Sequence, residues 1–131
     1  MARVSAEFAG WAPSLTALIT DGETTPVLRS LHTLPIEYRW DRAQGVTLLG
    51  DAAHLMPPSG EGANLALFDG AELAKAIVAH PRDLEAALAT HEAAMFVRSQ
   101  AEAREAVRIQ DLLFGDRSPT GLLEFFAHPP G

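Results

Sequence analysis

The sequence has 131 residues, no cysteine, 47% hydrophobic residues and a formal net charge of −7. Its length suits one domain and its apolar content supports a core, which excludes a disordered chain. The acidic balance and the lack of a basic run exclude a nucleic-acid footprint, and the missing thiols exclude disulfides and thiolate metal centres.

The N-terminus, MARVSAEFAGWAP, has no continuous apolar core of a signal peptide. No window approaches the ~18 apolar residues of a membrane span, so a cytoplasmic protein without a membrane partner is expected. Residues 4–20 predict a short helix, a break at Pro13 and a second helical turn, with Phe8, Trp11, Leu15, Leu18 and Ile19 at helical spacing. TDGETTP, 20–26, is a turn. VLRSLHTL, 27–34, suits a strand that Pro35 ends. VTLLG, 46–50, is apolar on both faces and predicts a buried strand.

A helix is predicted over 63–79. Leu67, Ala71, Ala74 and Val78 form its apolar face, and Asp69, Glu72 and Lys75 its solvated stripe. His80-Pro81 ends it. A long helix follows from about Asp83 to Leu113, with Leu84, Leu88, Met95, Ile109 and Leu112 as its apolar line. The polar run RSQAEARE, 98–105, interrupts that line, so a surface helix packed only at its ends is expected. Gly115 stops it. A last short helix is predicted within 118–130, with Ser118 as cap and Pro119 at its first position.

Chemistry concentrates in GDAAHLMPPSGEGANLALFDG, residues 50–70. Gly50-Asp51 puts a carboxylate at the C-terminal end of an apolar segment, the edge where open α/β folds bind ligands. A carboxylate only accepts hydrogen bonds, which suits vicinal hydroxyls. Pro57-Pro58 stiffens the bend, and Gly60 and Gly62 let the backbone approach a flat ligand. The following helix begins near Ala63, and its unpaired N–H groups favour an anion or an electron-rich oxygen.

Other chemistries fit less well. A P-loop needs GxxxxGK[ST], and no lysine follows these glycines. GEGANL lacks the third glycine of a dinucleotide fingerprint. Ser59 in PPSGE is not in a nucleophile elbow. HEAAM, 91–95, has Met95 where a zinc-protease helix needs its second histidine, and Asp51 with His54 makes too few metal ligands. His54 is read as a packing residue. Trp11 and Trp40 are read as core or lid contacts.

The segment VTLLGDAAHLMPPSGEGANLALFDGAELAKAI closely resembles the second FAD-binding motif of the flavin-dependent aromatic-ring monooxygenases. That is the p-hydroxybenzoate hydroxylase-like group, and the match is nearest to its tetracycline-inactivating members. Gly-Asp-Ala-Ala-His, Met-Pro-Pro, Gly-x-Gly-x-Asn and Asp69 follow in order. Weaker resemblance covers FAGWAP, LPIEYRWDRAQG and the long helix. The resemblance implies an FAD cofactor bound by Gly50, Asp51, Pro57, Pro58, Gly60, Glu61, Gly62, Ala63 and Asn64. Asp51 would take a ribityl hydroxyl, and Gly60 to Asn64 would face the pyrimidine edge of the isoalloxazine. Pro57-Pro58 would lie against the ring. No residue is assigned a catalytic role. The implied activity is hydroxylation of an organic, aromatic or polyketide-like substrate with O2 and NAD(P)H as co-substrate.

The fold implied is a predominantly helical α/β fragment. Three to four helices and two short strands would form the C-terminal part of a Rossmann-like FAD-binding fold. One partial domain is expected: 1–45 from the end of a substrate region, 46–80 carrying the motif, and 81–131 as C-terminal helices. The GxGxxG unit for the ADP half of FAD and the middle nicotinamide motif are not in these residues. The isolated segment is therefore expected to be inactive and to need a companion chain, or to form a homo-oligomer. The alternative is a non-catalytic helical interaction module derived from such an enzyme.

Overall fold

A computed structural model describes residues 2–127. The chain divides into two compact units, Met1–Ser30 and Leu31–Gly131. In the first, α1 (Ala2–Glu7) and α2 (Pro13–Thr20) pack on each other. The expected break separates the two helices at residues 8–12, and Pro13 opens the second at a position whose N–H has no intrahelical acceptor in any case. Phe8 and Trp11 meet edge to face at 5.0 Å across the turn. The Asp21 N–H closes α2 on the Ala17 carbonyl.

The second unit contains α3 (Asp51–His54), α4 (Gly62–Ala79), α5 (Leu84–Phe114) and α6 (Thr120–Ala127). Asp83 starts α5 by accepting from the Ala86 N–H at 2.9 Å. His80 ends α4, with its N–H shared between the Ala76 and Ile77 carbonyls. Ser118 does not cap α6; its hydroxyl donates to the Leu113 carbonyl at the end of α5. The part of the expected last helix at 128–130 lies outside the described residues.

Two expectations fail here. No strand forms among the described residues. Residues 27–34 and 46–49 find no ladder partner, and Val27, Leu28, Val46, Leu48 and Leu49 are all exposed. A strand exists only as one side of a pair, so apolar, β-branched sequence cannot make one alone. Residues 34–47 instead lie along α5. Trp40 meets Phe96 edge to face at 4.7 Å. Arg42 pairs with Glu85 and with the buried Glu92, and the Gly45 N–H donates to Glu85 at 2.7 Å. These bonds hold the Glu85 carboxyl below its ordinary range, first through Arg42 and then through the Gly45 N–H.

The second failure concerns α5. It is packed along its middle as well as its first turns. Its buried line is Ala87, Leu88, His91, Glu92, Met95, Ser99, Ala103 and Ala106, while Leu84 is half exposed. These positions recur every three or four residues, as one helix face requires. The face escapes a hydrophobicity reading because much of it is small or polar. It packs against α4, whose buried residues are Leu65, Asp69 and Ala76.

Candidate functional site

The site is built on a sharp turn at Gly50. Its φ of 60° and ψ of −145° belong to a region that only glycine enters readily. A Cβ there would also stand 3.0 Å from the Ala66 Cβ on the second turn of α4. The backbone conformation calls for glycine, and the missing side chain lets the start of α3 lie close against α4. The Gly50 carbonyl accepts from the Ala53 and His54 N–H groups at 2.9 and 3.0 Å and so closes α3.

Asp51 is the first residue of α3. Its carboxylate is exposed and has no hydrogen-bond partner among the described residues. The chain then runs through Pro57, which is buried, and Pro58, which is exposed. The Leu34 N–H donates to the Leu55 carbonyl at 2.8 Å and ties this run to the upstream segment. Gly60, at φ 93°, turns the chain into α4, with open space where a side chain would stand.

Among the described residues no side chain caps the N-terminus of α4. Glu61 occupies the capping position without a side-chain cap; its carboxylate instead accepts from the Asn64 amide at 3.1 Å. The N–H groups of Gly62, Ala63 and Asn64 precede the first intrahelical bond, from the Leu65 N–H to the Glu61 carbonyl at 2.9 Å. Glu61, Ala63 and Asn64 are exposed. Beside them lies an open pocket of about 270 Å³ lined by Glu61, Asn64, Leu65, Phe68, Arg98 and Glu102. The turn at Gly50-Asp51 and the start of α4 are thus neighbours through the Gly50–Ala66 contact.

Behind this surface lies a polar cluster that the sequence reading misplaced. Asp69, expected on the solvated stripe, is 0% exposed. Its Oδ1 accepts from Arg98 Nη2 at 2.7 Å. Its Oδ2 accepts from His54 Nε2 at 2.5 Å and from the Gly50 N–H at 3.2 Å. A carboxylate has no proton to give, so the His54 Nε2 carries the hydrogen. Burial pushes the Asp69 carboxyl up, but the bonds from His54, Arg98 and Gly50 outweigh it and hold the group below the ordinary aspartate range. The Arg98 guanidinium also lies 4.7 Å over the Phe68 ring. His91, on the buried face of α5, has no partner on either ring nitrogen among the described residues. Burial pushes its imidazole below the ordinary value, against the opposing influence of Asp69.

Residues 32–104 match the family described as FAD binding domain, more than half of the chain. The chain belongs to this FAD-binding-domain family. The matched stretch lies within the second unit and includes every candidate site residue. The dual O-methyltransferase/FAD-dependent monooxygenase CTB3 of Cercospora beticola is 34% identical over 119 residues, 88% of this chain and 14% of that protein. The FAD-dependent urate hydroxylase of Mycolicibacterium vanbaalenii is 37% identical over 97 residues, 72% of this chain and 24% of that protein. The 6-hydroxynicotinate 3-monooxygenase of Bordetella bronchiseptica is 35% identical over 115 residues, 83% of this chain and 27% of that protein. The chain therefore spans only a fraction of the length of these relatives.

FAD is the cofactor of the family. Asp51 offers a free acceptor for hydroxyls. The start of α4 offers free donors for carbonyl oxygens and ring nitrogen. Gly60 leaves space for a flat ring.

Proposed function

We propose that this chain forms the riboflavin-facing part of an FAD-dependent monooxygenase that hydroxylates a planar organic substrate. The carrying observation is the pairing of a free Asp51 carboxylate with an α4 N-terminus that no side chain caps among the described residues, held together by the Gly50–Ala66 contact. Asp51 accepts a hydrogen bond from a ribityl hydroxyl. The N–H groups of Gly62, Ala63 and Asn64 meet the pyrimidine edge and stabilise negative charge on the reduced ring, as preorganised dipoles do. Pro58 and Gly60 border the ring face. Electron uptake from NAD(P)H and activation of O2 are the cofactor's own chemistry. Urate and 6-hydroxynicotinate, named in two relatives, are planar heterocycles, which supports the substrate class. Membership of the p-hydroxybenzoate hydroxylase-like group, near its tetracycline-inactivating branch, is part of this reading. The family match covers the flavin motif and favours an enzyme segment over a non-catalytic module.

The ADP half of FAD needs a pyrophosphate-binding GxGxxG unit from outside these 131 residues. The outward side of α4 supports such a partner. Leu67 and Val78 are 75% and 78% exposed, and Ile77 adds to the apolar surface. Apolar surface of this kind favours association. We therefore assign the outward side of α4 to packing against the polypeptide segment that carries that unit.

FAD titration tests the cofactor reading. Asp51→Ala should weaken flavin binding about tenfold or more, since a hydrogen bond to a charged group is worth about 1.5–3 kcal/mol. Unchanged affinity, measured by calorimetry with the complemented protein, would remove Asp51 from the site.

A further inference from the structure

A helix of four residues does not persist by itself, because nucleation costs more than its few bonds return. Yet α3, Asp51–His54, carries the carboxylate on which the flavin reading rests. Beyond the Gly50–Ala66 contact, one buried oxygen ties it to α4. Asp69 Oδ2 accepts from the N–H of Gly50, which precedes α3, and from the ring of His54, its last residue. The two ends of α3 are thereby fixed to one atom of α4. The other oxygen, Oδ1, is held by Arg98 from α5. All three donors come from different chain positions, and the carboxylate is fully enclosed. A buried charge of this kind is a poor stabiliser, because desolvation offsets most of the attraction and an apolar set of similar volume often does as well. Its distinctive effect is geometric. It fixes the peptide before Asp51 in the glycine-only conformation and sets the direction in which Asp51 leaves the turn.

We propose that Asp69, anchored by Arg98, is a positioning residue for the flavin site: through Gly50 and His54 it clamps α3 and aims Asp51 at the cofactor. This rests on the reading of Asp51 as a flavin ligand. Asp69 itself touches no cofactor, being sealed behind α3.

The test uses the 131-residue chain, amide-resolved NMR and FMN as the soluble flavin probe. Asp69→Leu alone strands Arg98 and His54 and threatens folding, so the decisive protein is the double variant Asp69→Leu/Arg98→Leu, which replaces the ion pair with apolar volume. The expected result has three parts. The α5 amides stay protected. The Gly50, Ala53 and His54 amides exchange about tenfold faster or more, the equivalent of one charge-assisted hydrogen bond. FMN should shift the Gly60–Asn64 amides of the wild-type chain and no longer do so in the double variant; a wild-type chain without those shifts counts against the flavin reading, and the exchange data still judge the clamp. Asp69→Asn, which keeps one acceptor oxygen, should recover part of the protection at Gly50. Unchanged protection of Ala53 and His54 in the double variant would overturn the clamp. So would protection lost equally along α5, which would mark Asp69 as a general packing residue. Asp51→Ala separates the two ideas. It should abolish the FMN shifts while leaving the Gly50 amide as in wild type; if the FMN response survives, the flavin reading fails and the exchange data still judge the clamp.

Discussion

The two faces of α4 invert the usual arrangement. The inward face carries Leu65, Asp69 and Ala76 and buries a charge. The outward face carries Leu67 and Val78 and exposes both. Hydrophobicity alone would turn the helix the other way. The reason is that burial needs a partner. The α5 face opposite α4 offers Arg98, His91 and small alanines, which match a polar helix face. An apolar face with nothing opposite it stays exposed whatever its composition. The inward face is thus committed to internal geometry and the outward face is left uncovered among the described residues, and each can be broken separately.

The largest effect is expected on the inward face. Asp69→Leu leaves the Arg98 guanidinium and the His54 ring N–H facing an apolar group. Breaking a buried pair on one side costs about 3 kcal/mol or more, and Arg98 keeps some access to solvent, so the lower figure applies. Urea unfolding followed by circular dichroism should show it as a lower midpoint. A loss under about 0.5 kcal/mol, the range of ordinary surface changes, would mean that the polar cluster holds nothing.

The same group sets the acid limit. The Asp69 carboxyl is held below the ordinary aspartate range in the folded chain. A depressed carboxyl contributes stability that is complete above its unfolded value and lost as pH falls through the folded one. The wild-type chain should therefore lose stability as pH drops below about 4, and Asp69→Leu/Arg98→Leu should lose less over that interval. Parallel acid curves for the two proteins would remove Asp69 from the transition.

On the outward face, Leu67→Glu and Val78→Lys should leave the unfolding midpoint within about 0.5 kcal/mol. They should abolish association at micromolar concentration, measured by light scattering. A wild-type chain that runs as a 14.0 kDa species would show that this face needs no partner.

The helices and the flavin motif were legible in the sequence because their signals are local. Pro81, Gly115 and Asp83 punctuate the chain, and the spacing from Gly50 to Asn64 needs no tertiary knowledge. The strands were not legible as absences, since VTLLG carries strand propensity whether or not a neighbour exists. Asp69 was misplaced for the same reason. An acid among Glu72 and Lys75 reads as solvated unless one knows that Arg98, 29 residues on, lies across from it. A faint signal existed: Leu65, Asp69 and Ala76 share a helical face at spacings of four and seven. The buried line of α5 through Ser99, Ala103 and Ala106 was equally hidden, because small residues score weakly as apolar yet allow close helix approach.

The smallest effect lies at His91, beside the clamp on the inward face. It is 3% exposed, and neither ring nitrogen has a partner among the described residues. Its ring N–H is therefore buried at a cost of about 1–3 kcal/mol. Burial depresses the imidazole; Asp69, Glu92 and Glu72 pull it up and Arg98 pushes it down, without reversing the shift. The unfolded chain consequently binds a proton more readily than the folded one as pH falls below about 6.5. The stability tied to a neutral His91 is complete above that value and is lost as pH falls towards the folded value. His91→Leu fills similar space with no polar atom. It should raise stability by about 1 kcal/mol at pH 7 and remove the slope that wild type shows as pH falls below about 6.5. Urea midpoints at several pH values measure both. If His91→Leu destabilises the chain and keeps the slope, the ring has a partner that Arg98 and Asp69 do not account for, and the inward face of α4 and α5 holds more than the clamp.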